Sequence, residues 1–184
     1  MRKTSAAIAA MCLAAALPAK AAEPFAVTSS AFKDGGVMAL KYAGKNPASA
    51  TCVGENVSPA LSWSNPPEGV KSYAVVMQDP EGGKGLGVIH WVAYGIPGSA
   101  TGLTEGEASA PSQRIVGGTN NQGLTIYIGP CPPVGGYHHY MITVIATDLE
   151  PGALPPGLNK ADLIGKLNGH ALGAAGIVGL FRHP

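Results

Sequence analysis

Four stretches of this chain concentrate apolar, β-branched and aromatic residues: 72–78 (SYAVVMQ), 88–94 (VIHWVAY), 124–128 (LTIYI) and 140–147 (YMITVIAT). Each is bounded by Gly, Pro, Asn or Asp, so each is predicted to be a strand. In 88–94 and 140–147 both alternating faces are apolar, which places these strands inside a sheet covered on both sides. His90 is the exception within its run. The period changes near the C-terminus. Asn159 and Asp162 approximate a capping box, Leu163, Ile164 and Leu167 form an apolar stripe, and Gly169 is a stop signal, which together predict a helix. Residues 170–175 are expected to add a short helical turn and 177–181 a final strand. No linker divides the pattern. It predicts one mainly β domain, a β-sandwich or large sheet with a C-terminal helix.

The first residues have a different character. Arg2 and Lys3 precede an apolar run from Ala6 to Leu17; Pro18 then leads into Ala19-Lys20-Ala21. This is the pattern of a secretory signal peptide, cut after Ala21 or Ala22, so residues 1–21 are read as leader and 22–184 as the domain. The run is too short for a spanning helix, so no transmembrane span is expected. Cys12 lies inside the run rather than after it, which argues against a lipid anchor there. The expected location is periplasmic or secreted.

Composition narrows the function classes. The full chain has 12 basic and 11 acidic residues. Loss of Arg2, Lys3 and Lys20 with the leader leaves the acidic residues in slight excess. There is no basic stripe, so no nucleic-acid partner is expected. Gly (26) and Pro (16) are scattered without period, which excludes collagen-like and repeat architectures. Cys52 and Cys131 remain beyond the leader; an oxidising compartment permits one disulfide, while spacing alone equally permits two separately buried thiols.

Chemistry concentrates in Gly129-Pro130-Cys131-Pro132-Pro133, followed by Tyr137-His138-His139-Tyr140. A backbone so rich in proline cannot join a ladder and should form a rigid loop delivering histidines to a pocket wall. His138 and His139 open a strand, so they should point to opposite faces. Asp79-Pro80 is a turn signal closing the strand 72–78. A lone His such as His90 is more often a satisfied core residue than a ligand. Gly82-Gly83-Lys84-Gly85-Leu86-Gly87 lacks the Ser or Thr and the following helix of a phosphate-binding loop, and reads as a mobile turn. No H-E-x-x-H, C-x-x-C or G-x-S-x-G pattern is present. No metal is therefore assigned, since a metal site would need long-range convergence that spacing does not reveal. Asn56-Val57-Ser58 matches a glycosylation sequon, a weak signal in a chain with a bacterial-style leader.

Four motifs carry a resemblance: Gly54-Glu55-Asn56-Val57-Ser58-Pro59-Ala60-Leu61-Ser62-Trp63; Asp79-Pro80; His90-Trp91-Val92 running to Ile96-Pro97; and Gly129-Pro130-Cys131-Pro132-Pro133 with Gly136-Tyr137-His138-His139-Tyr140. From Phe25 to Phe181 the chain resembles the phosphatidylethanolamine-binding protein family, in its bacterial Raf kinase inhibitor-like branch. The resemblance implies a two-sheet β-sandwich with a small anion pocket at one end. It implies pocket residues Asp79, Pro80, His90, Gly129, Pro130, His138 and Tyr140, with Gly129-Pro130 as roof, and a Cys52–Cys131 disulfide near the pocket mouth. It implies no cofactor and a binding role rather than an enzymatic one. The ligand implied is a small anionic or phosphorylated molecule, such as a phospholipid headgroup. The alternatives are a modulator of another protein, such as a protease or kinase, and a phosphoester hydrolase using Asp79, His90 and His138. Two departures stand out. The family's D-P-D-x-P motif is here Asp79-Pro80-Glu81-Gly82-Gly83, which should loosen the rim. The family's Arg after the motif His is His139.

Overall fold

The computed structural model describes residues 23–183, so the expected leader lies outside the described residues. The strands in chain order are β1 (Ala26–Thr28), β2 (Gly36–Val37), β3 (Leu61–Ser64), β4 (Ser72–Asp79), β5 (Val88–Pro97), β6 (Gly102–Leu103), β7 (Val116–Gly118), β8 (His138–Thr147) and β9 (Ala171–Phe181). They form two sheets, one of six strands in the order β2-β9-β8-β4-β5-β7 and one of three in the order β1-β3-β6.

Strand alternation explains the layering. Along β4, Tyr73, Val75 and Met77 face one core, and Ala74 and Val76 face another, as the period of two requires. The first core lies between the sheets and includes Leu61 and Trp63 of β3, Leu103 of β6, Trp91, Tyr140 and Ile142. Trp63 and Tyr73 meet with ring centroids 4.9 Å apart. On the far face, Val92, Tyr94 and Ile145 pack with Ala74 and Val76 against Leu163 and Leu167 of the helix Lys160–Leu167. Each such fully buried aliphatic side chain contributes about 1.5–3 kcal/mol. The helix begins where Asn159 Oδ1 accepts the Asp162 N–H at 3.0 Å, and the left-handed Gly169 (φ 81°) follows its end. Ile164, placed in the apolar stripe by the sequence, is instead 45% exposed.

Two further expectations are corrected. Residues 124–128 are not a strand. The Asn120 carboxamide accepts the N–H groups of Gln122 (2.9 Å) and Leu124 (3.1 Å) and donates to the Ile126 carbonyl at 2.9 Å. These local bonds compete with a ladder. The backbone bonds of the segment are isolated ones, from Tyr127 N–H to the Ala108 carbonyl, from Ile128 N–H to the His90 carbonyl and, locally, from Asn120 N–H to the Leu124 carbonyl. Residues 170–175 are not a helical turn either. From Ala171 they belong to β9, which pairs along the whole of β8 from His138↔Phe181 to Thr147↔Ala171. As expected, β5 and β8 are interior strands.

One irregularity positions the site. β4 and β5 pair Met77↔Trp91 and then Gln78↔Ile89, so His90 is the extra residue of a β-bulge. Ile89 and Val92 pack on the helix side, while Trp91 faces the inter-sheet core. Strict alternation would put His90 with Val92. The bulge re-aims it, as bulges do, and its ring meets Tyr140 edge-on at 5.1 Å.

Candidate functional site

Asp79 ends β4, and its carboxylate organises the turn that follows. Oδ1 accepts the N–H groups of Glu81 (3.0 Å) and Gly82 (2.9 Å). Oδ2 lies 2.7 Å from His138 Nδ1. The Asp79 side chain is only 4% exposed, so this acceptor-only group spends its lone pairs on three donors. The turn itself is one helical turn, Gly82–Gly85, with Gly83 and Lys84 at positive φ. It leads into β5, with no helix behind it to cradle a phosphate.

His90 is buried, and its Nδ1 lies 3.0 Å from the Ile128 carbonyl. A carbonyl can only accept, so Nδ1 carries the proton. Burial pushes the His90 pKa down, against the opposing effects of that bond and of Asp79. The ring is therefore neutral at pH 7, with its lone pair on Nε2. His138 likewise donates from Nδ1 to Asp79. Tyr140 is fully buried, and its hydroxyl has no hydrogen-bond partner. Burial raises its pKa first, and the Asp79 and Glu81 carboxylates raise it further, so the group stays a neutral O–H donor.

The proline loop is held from behind. Asn56, itself at φ 58°, accepts the Gly129 N–H at 2.8 Å and donates to the Tyr127 carbonyl at 3.0 Å. Both ends of the carboxamide are engaged, so the sequon asparagine serves as a clamp. The Gly44 N–H bonds the Pro130 carbonyl at 2.7 Å. A Cβ on Gly129 would overlap the Tyr42 carbonyl oxygen; only glycine permits this approach. Cys52 and Cys131 form a disulfide with Cα atoms 4.9 Å apart.

Asp79, His90, Gly129, His138 and Tyr140 line one cavity of about 380 Å³. Pro80 and Pro130 do not line it. Pro80 is exposed within the turn, and the wall beyond Gly129 is formed by Cys131, Pro132 and Pro133. The expected Gly129-Pro130 roof is therefore half replaced. Glu81, Lys84 and Gln122 also line the cavity, and sequence reasoning did not assign them. His139 turns away as expected, but its ring Nδ1 sits 2.7 Å from Glu81 Oε1 and its N–H 3.2 Å from Glu81 Oε2. Burial opposes ionisation of Glu81, but the bonds from His139 outweigh it and hold the carboxyl down at about 2. The two departures from the family pattern thus meet as one pair; each departure is legible in the sequence, but their pairing is not. A smaller cavity of about 170 Å³, lined by Lys45 and Cys52, shares Gly129 and Cys131 with the first.

The model of the phosphatidylethanolamine-binding protein family matches residues 28–182. The chain belongs to that family. It is 39% identical over 158 residues to the UPF0098 protein of Aquifex aeolicus, covering 85% of this chain and 87% of that one. It is 36% identical over 173 residues to the putative lipoprotein LppC of Mycobacterium tuberculosis, covering 91% and 77%. Among solved structures, that of Escherichia coli YbcL, described as a member of the mammalian PEBP family, superposes with a TM-score of 0.77 at 31% identity, covering 86% of this chain and 98% of YbcL. The two-sheet fold of this family is therefore the fold of this chain. Among the described residues no helix is long and apolar enough to cross a membrane.

Proposed function

We propose that the cavity binds a small oxyanion, either free phosphate or the phosphate of a headgroup such as phosphoethanolamine, in a protein exported from the cytoplasm. The observation that carries this reading is the Tyr140 hydroxyl, a buried donor without an acceptor, in the same cavity as two imidazoles. A buried unpaired donor is costly, and a ligand oxygen would satisfy it. The leader pattern of residues 1–21 and a relative named as a putative lipoprotein support the location. Binding is favoured over turnover because the cavity lining contains no hydroxyl or free thiol nucleophile other than the tyrosine.

The tautomers make the binding proton-linked. With both Nδ1 atoms committed to acceptors, the neutral His90 ring offers only a lone pair at Nε2, and Nε2 is the one uncommitted ring nitrogen of His138. A phosphate monoanion brings its own P–OH to donate there, while Tyr140 donates to another oxygen. A dianion must wait for an imidazole to take up a proton, and the lowered pKa of His90 opposes this. Affinity for phosphate should therefore fall as pH rises from 6 to 8. Sulfate, which carries no proton in this range, should bind more weakly than phosphate at pH 6. Calorimetric titration of phosphate, phosphoethanolamine and sulfate at both pH values tests this, with chelator present. His90→Ala and Tyr140→Phe should each weaken phosphate by roughly ten- to hundredfold, about 1.5–3 kcal/mol. Phosphate binding unaffected by either substitution would overturn the site. Preference for phosphoethanolamine over phosphate would identify a headgroup as the source.

A further inference from the structure

We propose that Asp79, Glu81 and His138 form a binding site for a divalent transition ion of the zinc class at the mouth of the cavity. One ligand atom from each residue lies within 4.8 Å of the others. The Asp79 carboxylate is almost wholly buried and His138 is 17% exposed, so two of the three ligands are held by the fold. One imidazole and two carboxylates converge from the end of β4, the turn after it and the start of β8.

Three arguments favour a cation. The first is charge. Two carboxylates line a cavity in which Lys84 is the single lining Lys or Arg, and among the described residues neither carboxylate is paired with a Lys or Arg. The second is the Tyr140 hydroxyl, buried and without a hydrogen-bond partner in the same cavity. A water or anion on the ion would give it an acceptor. The third is distance. His138 Nδ1 and Asp79 Oδ2 are 2.7 Å apart, whereas a tetrahedral ion at about 2.0–2.1 Å from each would hold them ~3.3 Å apart. Opening that pair by about 0.6 Å and drawing Glu81 in, from within 4.8 Å of the other two ligand atoms to a comparable spacing, would let the metal replace the shared proton. One imidazole nitrogen and two carboxylate oxygens suit zinc, not the all-oxygen preference of calcium or the thiolate preference of copper(I).

The proton balance is closed. A neutral His138 ring that gives its Nδ1 lone pair to the ion carries its proton on Nε2 instead, with none released to solvent. Nε2 then donates into the cavity. Glu81 exchanges its bond with His139 for the ion, so His139 competes with the metal rather than ligating it.

The test is calorimetric titration of zinc into the purified protein at pH 7 in buffer free of phosphate, repeated on Glu81→Gln, His138→Ala and His139→Gln. Saturable one-to-one binding at micromolar zinc is expected. Glu81→Gln and His138→Ala should each weaken it at least about tenfold, and His139→Gln should leave it equal or tighter. Cobalt(II) should give the absorption of a low-coordinate site in the wild type and lose it in Glu81→Gln. Glu81 is 41% exposed, so that variant should fold even if His138→Ala does not. No saturable binding below about 1 mM, or binding that persists in Glu81→Gln, overturns the proposal. Phosphate binding retained in chelator while zinc binding fails would sink the metal site alone. Zinc binding without phosphate binding would sink the anion reading alone.

Discussion

Asp79 and Glu81 are two residues apart, yet they carry different consequences. Asp79 is buried and satisfies two turn N–H groups as well as His138. Asp79→Ala leaves those donors without an acceptor, and it should destabilise the fold by about 2–3 kcal/mol, read from the denaturant midpoint. Glu81 pairs with His139 in a setting where both side chains are more than a third exposed. Glu81→Gln should therefore cost no more than about 1 kcal/mol. The folded carboxyl of Glu81 is held at about 2, below its ordinary 4.5. Its contribution is thus complete above pH 4.5 and lost as pH falls towards 2. A melting-temperature profile in which the wild type and Glu81→Gln converge on acidification checks the sign. Asp79, His90 and His138 are placed in the pocket by the resemblance to the family; from the residues alone Asp79 reads as a turn signal and His90 as a core histidine, while the proline loop points to a histidine at its end. Glu81 and His139 were visible only as departures from a pattern, and their pairing across 58 positions needed coordinates.

The elements explain why some strands were readable. β4, β5 and β8 are long and apolar on both faces, so composition and period agreed. The segment 124–128 has the composition of a strand but answers to Asn120, whose side chain takes its backbone bonds. β9 begins in Ala and Gly that carry little strand signal, and long-range pairing with β8 overrides that local silence. The bulge at His90 has no sequence signature here, because it arises from a register shift against β4. The proline loop offers a paired test at this scale. Gly129→Ala should force the loop away from Tyr42 and Ala43, costing about 1–3 kcal/mol and weakening phosphate. Gly135→Ala meets nothing within 4 Å and should change neither. If both substitutions behaved alike in thermal melts and titrations, the clamp behind the loop would not be what shapes the wall.

For the whole molecule, apolar patterning left a sandwich and a single large sheet equally open. The second sheet consists of strands of three, four and two residues, too short to show a period. What made them a layer is burial of Leu61, Trp63 and Leu103 against the large sheet. The cavity lies where this layering ends, and one of its walls depends on a covalent link between segments 79 positions apart. Closing so long a loop in the unfolded chain is worth about 4 kcal/mol on chain-entropy grounds, and often less in practice. Cys131 also lines the anion cavity, so the link should act on stability and on binding together. A Cys52→Ser, Cys131→Ser double variant should unfold at a lower denaturant concentration and bind phosphate more weakly. Loop 129–133 still has its Asn56 and Gly44 bonds, so the binding loss should be smaller than that of His90→Ala. Unchanged stability would mean that the native contacts of the 46–55 segment already close the loop without the disulfide. A binding loss equal to that of His90→Ala would mean that the disulfide, not the asparagine clamp, sets the geometry of the wall.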